Sequence, residues 1–559
     1  MCVLYKIRNV KSNTKLTLAP VINFRDFHTM STNCEFNISQ AIKDRKVKVT
    51  INEHSEKPIY MNLSEGNYIE HHNDYFSNMY YIEEEKRGFF PEENHIVSGR
   101  YEVEIQKDEE KDITFVCSLE ENIEELDAKV IIDAEIKRLT ELVYDTKLTG
   151  EGPKIAGERL VRPKVDKQFI KDLVVATDAF IINRPAFGLH SIIAGYPWFL
   201  DWGRDTAIAY EGCILLTKRF KIAKEILLLM IRDIKFGLVP NGYSGFDDRP
   251  LYNSVDSSLL LFEQVHKYIR YTGDTKFVKD NLYVILRKII KQYQSGIDLD
   301  DNNIYLDTDG LISSGTPSTQ NTWMDAKYAD YAITPRNGKA VEINALWYNG
   351  LMIMSELAKQ FEKKADAQKY IEMAEKCKES FTKSFYNRKR KCLYDVIGDK
   401  KIRPNQLFAL SLSHPVIDPD SDIAKEMIET VTKKLLTKYG LKTLAKGEEG
   451  YVDTYEGDNF RRDVSYHQGI VWPWLLGLYY DSLKNIIKAK KNKEQKKEFQ
   501  DKLDKFIEET RNTFLKALYE DDCVGNISEI YDAKLPQLPK GAFAQAWSVG
   551  EILKIILEN

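Results

Sequence analysis

The residues that could carry chemistry in this sequence are concentrated in five polar, aromatic segments. These segments are rich in Trp, Tyr, Asp, Glu, Asn, Gln and Arg, and each adjoins an apolar run typical of a helix. Aromatic faces can pack on the C–H surface of a sugar ring, while carboxylates, amides and guanidinium groups bind hydroxyls in fixed directions. The mixture therefore indicates a carbohydrate pocket formed by segments 196–208, 321–326, 333–349, 460–477 and 525–532.

The segment 198–205 is the densest of these clusters. It holds two Trp, two Asp and one Arg together with a Gly. Burying that many polar groups without a ligand would be costly, so we interpret the segment as functional. A single aromatic residue carries less information, and Trp347 or Trp474 taken alone is better explained as a core residue.

Composition and charge exclude several classes of protein. The chain has 559 residues, with 80 Lys and Arg against 85 Asp and Glu, so it lacks the basic excess of a nucleic-acid-binding protein. Apolar stretches such as 226–231 and 472–480 are far shorter than the roughly 20 residues of a membrane span. Charged residues occur too close to the amino terminus for a secretory signal peptide. We predict a cytoplasmic protein that binds neither nucleic acid nor membranes.

Cysteine and histidine spacing gives no indication of a metal site. The seven cysteines are scattered without a C-x-x-C pair, and the nine histidines show no H-E-x-x-H spacing. Dispersed cysteines of this kind are typical of reduced thiols rather than of a disulfide framework. We therefore predict no metal and no cofactor.

The sequence pattern changes along the chain. Residues 1–121 contain short β-branched runs of period two, such as 46–52, and predict an antiparallel β domain with one solvated face. A helix is predicted over 122–145, and the Gly- and Pro-containing stretch 149–153 breaks it. We therefore interpret residues 122–164 as a linker helix and loop.

From residue 165 to residue 559 the pattern is helical. In the stretch 342–361, apolar residues recur at helical spacing, and similar amphipathic stretches follow along this region. Strands alternating with helices, which would build a parallel sheet, are not evident. We expect a mainly α domain, and twelve helices alternating between two rings would fit the pattern.

Seven motifs, in order, make the sequence similar to a known family. They are DWGRDT (201–206), LYNSVDSSL (251–259), TWMDA (322–326), TPRNGKAVEINALWYN (334–349), RPNQLFALS (403–411), YHQGIVWPW (466–474) and ISEIYD with PKGAFAQAWSVGEIL (527–553). The chain resembles the carboxy-terminal glucosidase module of glycogen debranching enzymes, the amylo-α-1,6-glucosidases, in its stand-alone archaeal and bacterial form. The resemblance extends over essentially the whole chain.

The resemblance implies an (α/α)6 toroid preceded by a partial antiparallel β-sandwich domain. It also implies hydrolysis of α-1,6-linked glucose with inversion, with Asp325 as general acid and Glu529 as general base. Inversion requires two carboxyl groups roughly 6.5–9.5 Å apart, so that a water molecule fits between the base and the sugar. Arg204 and Asp205 match the pair that grips the far hydroxyls of the terminal glucose in glucoamylase-like pockets.

The motifs supply further candidate residues and several open alternatives. Asp325 could instead cap a helix, and Glu529 could pair with Lys534 or Arg462. Asp205 or Asp201 could be only a structural partner of Arg204, and the three amides among the candidates could only tie loops together. The remaining candidates for substrate binding are Trp198, Asp201, Trp202, Asp256, Trp323, Arg336, Lys339, Glu342, Asn405, Gln406, His467, Trp472 and Gln545.

The sequence also departs from the family pattern. Residues 15–28 resemble a segment that normally lies well inside the amino-terminal β domain, so we expect the upstream half of that domain to be absent. A half-sandwich exposes sheet edges and an apolar face, so we expect it to form a homo-oligomer or to pack on the helical domain. The glucanotransferase barrel of the large eukaryotic enzymes is not visible.

The resemblance implies glycogen, limit dextrin and branched malto-oligosaccharides as substrates. Another inverting α-glucosidase, such as a trehalase-like enzyme, would use the same toroid. A phosphorylase would replace the base carboxylate with a phosphate-binding group, and the presence of Glu529 argues against it. A non-catalytic glucan-binding relative is a further alternative.

Overall fold

A computed structural model describes residues 1–26, 28–31, 36–123, 127–145, 167–244, 249–521 and 523–557. The chain divides into two compact units, Met1–Glu141 and Leu142–Asn559. The stretch 149–153, where the sequence predicts a break after the linker helix, lies outside the described residues.

The first unit is built from antiparallel strands, which confirms the predicted β domain. The strands are β1 (Cys2–Ile7), β2 (Thr14–Leu18), β3 (Val21–Ile22), β4 (Ile38–Lys43), β5 (Lys46–Ile51), β6 (Ile59–Leu63), β7 (Asn67–Glu70), β8 (Tyr75–Tyr80), β9 (Glu92–Val97), β10 (Gly99–Ile105) and β11 (Lys111–Ser118). They form a five-stranded sheet in the order β1-β11-β6-β5-β4 and two three-stranded sheets, β2-β10-β7 and β3-β9-β8. A short helix, α1 (Ile82–Lys86), follows β8.

The predicted alternation of period two is clearest in β5. Val47, Val49 and Ile51 are buried, while the residues between them are partly exposed. Successive side chains of a strand point to opposite faces, so one face of β5 contributes to the core. Tyr101 of β10, in another sheet, and Ile113 of β11 belong to the same core.

The second unit is mainly helical, as predicted. Its helices are α3 (Lys167–Asp178), α4 (Gly203–Tyr210), α5 (Phe220–Arg232), α6 (Ser257–Thr272), α7 (Thr275–Phe277), α8 (Tyr283–Ser295), α9 (Val341–Gln360), α10 (Lys364–Phe385), α11 (Phe408–Ser411), α12 (Asp422–Lys434), α13 (Asn459–Tyr466), α14 (Leu475–Ala489), α15 (Lys493–Glu520) and α16 (Ala546–Leu557). Helix α2 (Ala128–Asp145) precedes them and begins later than predicted. In the described part of the chain, no helix is long and apolar enough to span a membrane.

Helices of the second unit pack largely against near neighbours in sequence. Helix α9 packs against α6 and α10, and its side chains are buried almost all round, as expected for a central helix. Helix α14 packs against α11 and α15. The last helix, α16, packs against α3 and α4, so the beginning and the end of this helical series are in contact.

Short strands in the loops align the polar motifs with one another. They are β12 (Ile181–Arg184), β13 (Leu189–Ile192), β14 (Gly195–Tyr196), β15 (Gly242–Tyr243), β16 (Pro250–Leu251), β17 (Tyr305–Leu306), β18 (Ile312–Ser313), β19 (Lys327–Tyr328), β20 (Tyr331–Ala332), β21 (Tyr386–Asn387), β22 (Cys392–Leu393), β23 (Leu441–Lys442), β24 (Val471–Trp472), β25 (Ile530–Tyr531), β26 (Pro539–Lys540) and β27 (Ala544–Gln545). Pairing of β14 with β27 joins the start of segment 196–208 to the last motif. The sheet β23-β24-β25-β26 joins the 466–474 and 527–532 motifs.

Candidate active site

Arg204 connects three of the polar motifs. It lies in the first turn of α4, and its Nε donates to both carboxylate oxygens of Asp256, each at 2.9 Å. Its Nη1 donates to Oδ2 of Asp325 at 2.7 Å. Asp256 immediately precedes α6 and also accepts a 2.6 Å hydrogen bond from Ser254. The guanidinium therefore holds carboxylates from two other motifs in a buried group.

Asp325 is the most accessible carboxylate of this group. Its side chain is 33% exposed, whereas that of Arg204 is 4% exposed. Burial raises the pKa of Asp325 above its usual value, although the positive charge of Arg204 opposes the rise. Since Arg204 binds Oδ2, the other carboxylate oxygen is the one left to carry a proton.

Glu529 lies in a different environment from Asp325. Its side chain accepts a hydrogen bond from the hydroxyl of Tyr466 and another, at 2.9 Å, from the backbone N–H of Ala542. Burial raises the pKa of Glu529 to about 7, against the effect of these two donors, and the charge of Asp325 adds to the rise. Tyr466 is followed by His467, whose Nδ1 lies 3.5 Å from the backbone N–H of Ala326, so the segments that carry the two carboxyl groups are in contact.

Asp205 is a third carboxyl group in the same site. Burial raises its pKa well above the usual value, and the charges of Asp325 and Glu529 raise it further, while Arg204 opposes them. The Nε2 of Gln545 lies 3.4 Å from its Oδ1. Asp205 is consequently expected to be protonated more readily than an ordinary aspartate, and a neutral carboxyl group can both donate and accept hydrogen bonds.

Aromatic rings pack beside these carboxylates. Trp323 meets Trp472 and Trp474 edge to face, with ring centroids 5.5 and 5.0 Å apart. His467 stacks on Trp472 at 5.3 Å, and Trp547 stacks on Trp474 at the same distance. Edge-to-face and stacked packing of this kind holds large rings in one orientation.

Two of these indole rings donate hydrogen bonds to protein groups. The indole N–H of Trp323 donates to Oδ1 of Asn405 at 2.7 Å, and that of Trp472 donates to the backbone carbonyl of Tyr466 at 3.0 Å. The Nδ1 of His467 lies 3.5 Å from the backbone N–H of Ala326. Burial and the nearby arginines lower the pKa of His467 well below its usual value, so the ring is neutral.

Several buried polar atoms near the carboxylates have no hydrogen-bond partner among the described residues. They include Nη2 of Arg204, Nε2 of His467 and Oε1 of Gln545, together with the indole Nε1 atoms of Trp474 and Trp547. Buried polar atoms are almost always satisfied in folded proteins, so a cluster of unsatisfied ones calls for an explanation. A ligand rich in hydroxyl groups would supply both donors and acceptors to such a set.

A second group of predicted site residues forms a buried ionic network. Nε of Arg336 donates to Asp395 at 2.6 Å, and its Nη2 donates to Glu342 at 2.6 Å. Asn405 donates to the same Asp395 at 2.7 Å. Because Asn405 also holds the indole of Trp323, this network supports the aromatic wall. The role of these residues as sugar ligands stays a prediction, since the contacts present are with protein groups.

Several other predicted residues also bind protein groups. Asp201 pairs with Arg184 and accepts from Ser191 at 2.9 Å, so its partner is not Arg204. Lys339 lies 2.7 Å from each of two loop aspartates, Asp307 and Asp309. The side chain of Gln406 bonds to the backbone of residues 393 and 403. The partly buried Trp198 and Trp202 flank the Asp201 segment.

The comparisons with known proteins agree with this arrangement. A family model described as amylo-alpha-1,6-glucosidase matches residues 175–554, more than half of the chain. The chain belongs to the amylo-alpha-1,6-glucosidase family. A second family model, glycogen debranching enzyme N terminal, matches residues 1–112.

One curated relative is a glycogen debranching enzyme of the yeast Saccharomyces cerevisiae. It is 25% identical over 389 residues, which cover 53% of this chain and 25% of the yeast protein. This amylo-alpha-1,6-glucosidase family member therefore matches a quarter of the length of that relative. The resemblance predicted from the motifs is confirmed at the level of the family.

Two important residues of this amylo-alpha-1,6-glucosidase family member were missed by the sequence reasoning. Tyr466, which donates to Glu529, is the first residue of the YHQGIVWPW motif, so its position next to His467 could have singled it out. Asp395, which balances Arg336, lies outside every recognised motif. Only the three-dimensional contacts identify it.

We expect Gly541→Ala to impair the site through Glu529. Gly541 has φ of +70°, and a Cβ there would lie 2.3 Å from Oε2 of Glu529. The carboxylate would have to move, and a displacement of about 1 Å can cost about 100-fold in rate. Initial rates of glucose release measure the effect. The matched control is Gly525→Ala, which has φ of +85° but no atom within 4 Å, and a similar loss there would contradict this prediction.

Proposed function

We propose that the chain is an inverting exo-α-1,6-glucosidase that removes single glucose residues from the branch points of glycogen and limit dextrin. The observation that supports this proposal is the contact between the segments that carry Asp325 and Glu529, together with the different hydrogen-bond partners of the two carboxyl groups. Inverting hydrolysis needs such a pair, one carboxyl group to protonate the leaving oxygen and one to activate water.

Glu529 is proposed as the general base. Hydrogen bonds from Tyr466 and Ala542 favour the ionised form, while a pKa of about 7 makes the carboxylate basic enough to accept a proton from water. As water attacks the anomeric carbon from the side opposite the leaving group, its proton passes to Glu529. The released sugar then has the β configuration.

Asp325 is proposed as the general acid. Its raised pKa favours retention of a proton, and the hold of Arg204 on Oδ2 orients the other oxygen for donation. The proton passes from Asp325 to the glycosidic oxygen as the bond to the anomeric carbon breaks. Partial exposure of Asp325 fits a position at the mouth, where the remainder of a branched glucan would leave.

The remaining polar groups are proposed to bind the terminal glucose. Arg204 and Asp205 would bind its far hydroxyls, and the unsatisfied atoms of His467 and Gln545 would bind the rest. Trp323 and Trp472 would pack beside the ring. A pocket that closes around one sugar in this way suits removal of single residues from a chain end.

We also propose the (α/α)6 toroid for residues 165–559, after a β domain over 1–121 and a linker over 122–164. Contact of the last helix, α16, with α3 and α4 supports closure of the helical series into a ring. Polar loops that meet at Arg204 and Glu529 support a single pocket at one end of that ring. Association through the β domain stays a prediction.

The test is release of glucose from glucosyl-branched limit dextrin, with the anomer followed by NMR immediately after mixing. We expect β-glucose to appear first and to mutarotate afterwards. Isomaltose, maltose and trehalose are the matched substrates, and the 1,6-linked sugar should react fastest. Release of α-glucose, or no release by folded protein from any 1,6-linked substrate, would overturn the proposal.

A further inference from the structure

Two histidines and one glutamate lie close together in the helical unit, farther along its helices than the candidate active site. His266 lies on α6, ten residues beyond Asp256, which corresponds to about 15 Å along the helix axis. Glu356 lies near the end of α9, and His414 lies between α11 and α12. None of the three belongs to the group around Arg204.

The three side chains converge on one point. The Nε2 of His266 lies 3.5 Å from Oε2 of Glu356, and the Nε2 of His414 lies 3.3 Å from the same oxygen. The three ligand atoms all lie within 4.8 Å of one another. In the described part of the chain, this is the one group of three or more such residues with that geometry.

We propose that His266, Glu356 and His414 bind a zinc ion that joins α6, α9 and the segment between α11 and α12. The inference is independent of the proposed glucosidase activity. It assigns the ion a structural role, because it would connect three separate parts of the helical unit.

The spacing of the ligand atoms favours tetrahedral coordination. Two ligands about 2.1 Å from a metal ion lie about 3.4 Å apart at a tetrahedral angle and about 3.0 Å apart at an octahedral one. The two separations from Glu356, 3.3 and 3.5 Å, match the tetrahedral value, and the third separation, between the two histidines, is no more than 4.8 Å. Two imidazoles, one carboxylate and a water molecule form a set that zinc accepts, so zinc is preferred over magnesium or calcium.

The ligands are held in place by a second set of hydrogen bonds. The backbone N–H of His414 donates to Oδ1 of Asn349 at 2.9 Å, which fixes the loop against α9. The hydroxyl of Ser413 donates to Glu263 on α6 at 2.8 Å, and Asn349 donates to the same carboxylate at 2.9 Å. The loop that carries His414 is thus tied to both helices that carry the other ligands.

One ligand atom also lacks another role. The Nε2 of His414 is buried and has no hydrogen-bond partner in the residues that the structure describes, although it faces Glu356. Glu356 itself is 49% exposed, so an ion can enter and a water molecule can complete the coordination. A metal ion would satisfy the buried nitrogen and neutralise the carboxylate together.

Local spacing could not have predicted this group. Its members come from separate motif-free positions on two helices and a loop, so no H-x-x-H or similar pattern exists in the sequence. The prediction of no metal was drawn from such patterns alone.

The test is zinc binding by the full chain after removal of metals with a chelator. We expect one zinc ion per chain by equilibrium dialysis and elemental analysis, and a visible spectrum typical of tetrahedral Co²⁺ when cobalt replaces zinc. His266→Gln and His414→Gln should each lower the affinity for zinc at least about 100-fold. Zinc at one hundred times its dissociation constant should raise Tm of the wild type by about 3 °C.

The matched control is His190→Gln. His190 also pairs with a glutamate, Glu225, but is not in a three-ligand group among the described residues. The His190→Gln variant should bind zinc like the wild type. The His414→Gln variant should still release glucose if the wild type does. Absence of stoichiometric binding by the wild type, or equal affinity in His266→Gln and His414→Gln, would overturn the zinc site and leave the glucosidase proposal untouched.

Discussion

Asp325→Asn should slow glucose release from limit dextrin by about 10²–10⁴-fold, because a positioned general acid contributes that much to the rate. With α-glucosyl fluoride the loss should be far smaller, since fluoride leaves without protonation. The asparagine keeps the shape of the aspartate but removes the charge that pairs with Arg204. Initial rates on the two substrates give the comparison directly.

Glu529→Gln should lose activity by a similar factor on both substrates. The base acts on the attacking water, so the quality of the leaving group does not replace it. Added azide, which needs no base, should restore turnover and give β-glucosyl azide, detectable by NMR. The opposite pattern would reverse the two roles. In that case Asp325→Asn would slow glucose release equally from both substrates, and Glu529→Gln would slow it only from dextrin.

A matched control for Glu529 is Glu426→Gln. Glu426 also accepts a hydrogen bond from a tyrosine hydroxyl, that of Tyr386, yet it lies on α12 and pairs with Lys391. Its replacement should leave glucose release near the wild-type rate. Circular dichroism of all variants separates loss of chemistry from loss of folding.

Arg336→Met should lower the free energy of unfolding of the helical unit by about 3–5 kcal/mol, the typical effect of removing one partner of a buried ion pair. Arg336 is buried and binds both Glu342 and Asp395, so the substitution leaves Glu342 without this cation and leaves Asp395 with Arg403, whose Nε lies 3.7 Å from its Oδ2. The urea midpoint, followed by tryptophan fluorescence, measures the change. Trp323 is linked to this network through Asn405 and should report its loss.

Lys339→Met is the control for Arg336→Met. Lys339 also bridges two aspartates, but these are more than a third exposed, and pairs of that kind contribute about 0–1 kcal/mol. A double replacement, Arg336→Met with Glu342→Leu, should recover part of the lost stability by removing a buried charge. Equal urea midpoints for Arg336→Met and Lys339→Met would show that the buried network contributes no more to the free energy of unfolding than the ion pairs of Lys339 do.

Local pattern alone was enough to predict a β domain followed by a mainly helical one. The alternation in β5 follows from the pleat of a strand, and the spacing in α9 follows from the pitch of a helix, so each leaves a signature within a few residues. The motif around Arg204 was likewise recognisable, because several polar and aromatic residues lie close together in the chain. The family followed from the order of such motifs.

Contacts between distant residues were decided only by the tertiary structure. Asp201 and Asp205 are near neighbours in sequence, yet Asp201 pairs with Arg184 and Asp205 lies beside Gln545 of the last motif. In the same way, the sequence did not reveal that Tyr466 donates to Glu529. Partner choice depends on which loops the helices bring together, and that information is spread over the whole chain.

The residue types of this protein therefore determined what chemistry was possible, and packing determined which residues are placed to perform it. A carboxylate has the same intrinsic acidity wherever it stands in the sequence. Burial, a neighbouring Arg204 or a hydrogen bond from Tyr466 makes one carboxylate differ from another. These influences act over a few ångströms in space, and residues at that distance can be hundreds of positions apart in the chain.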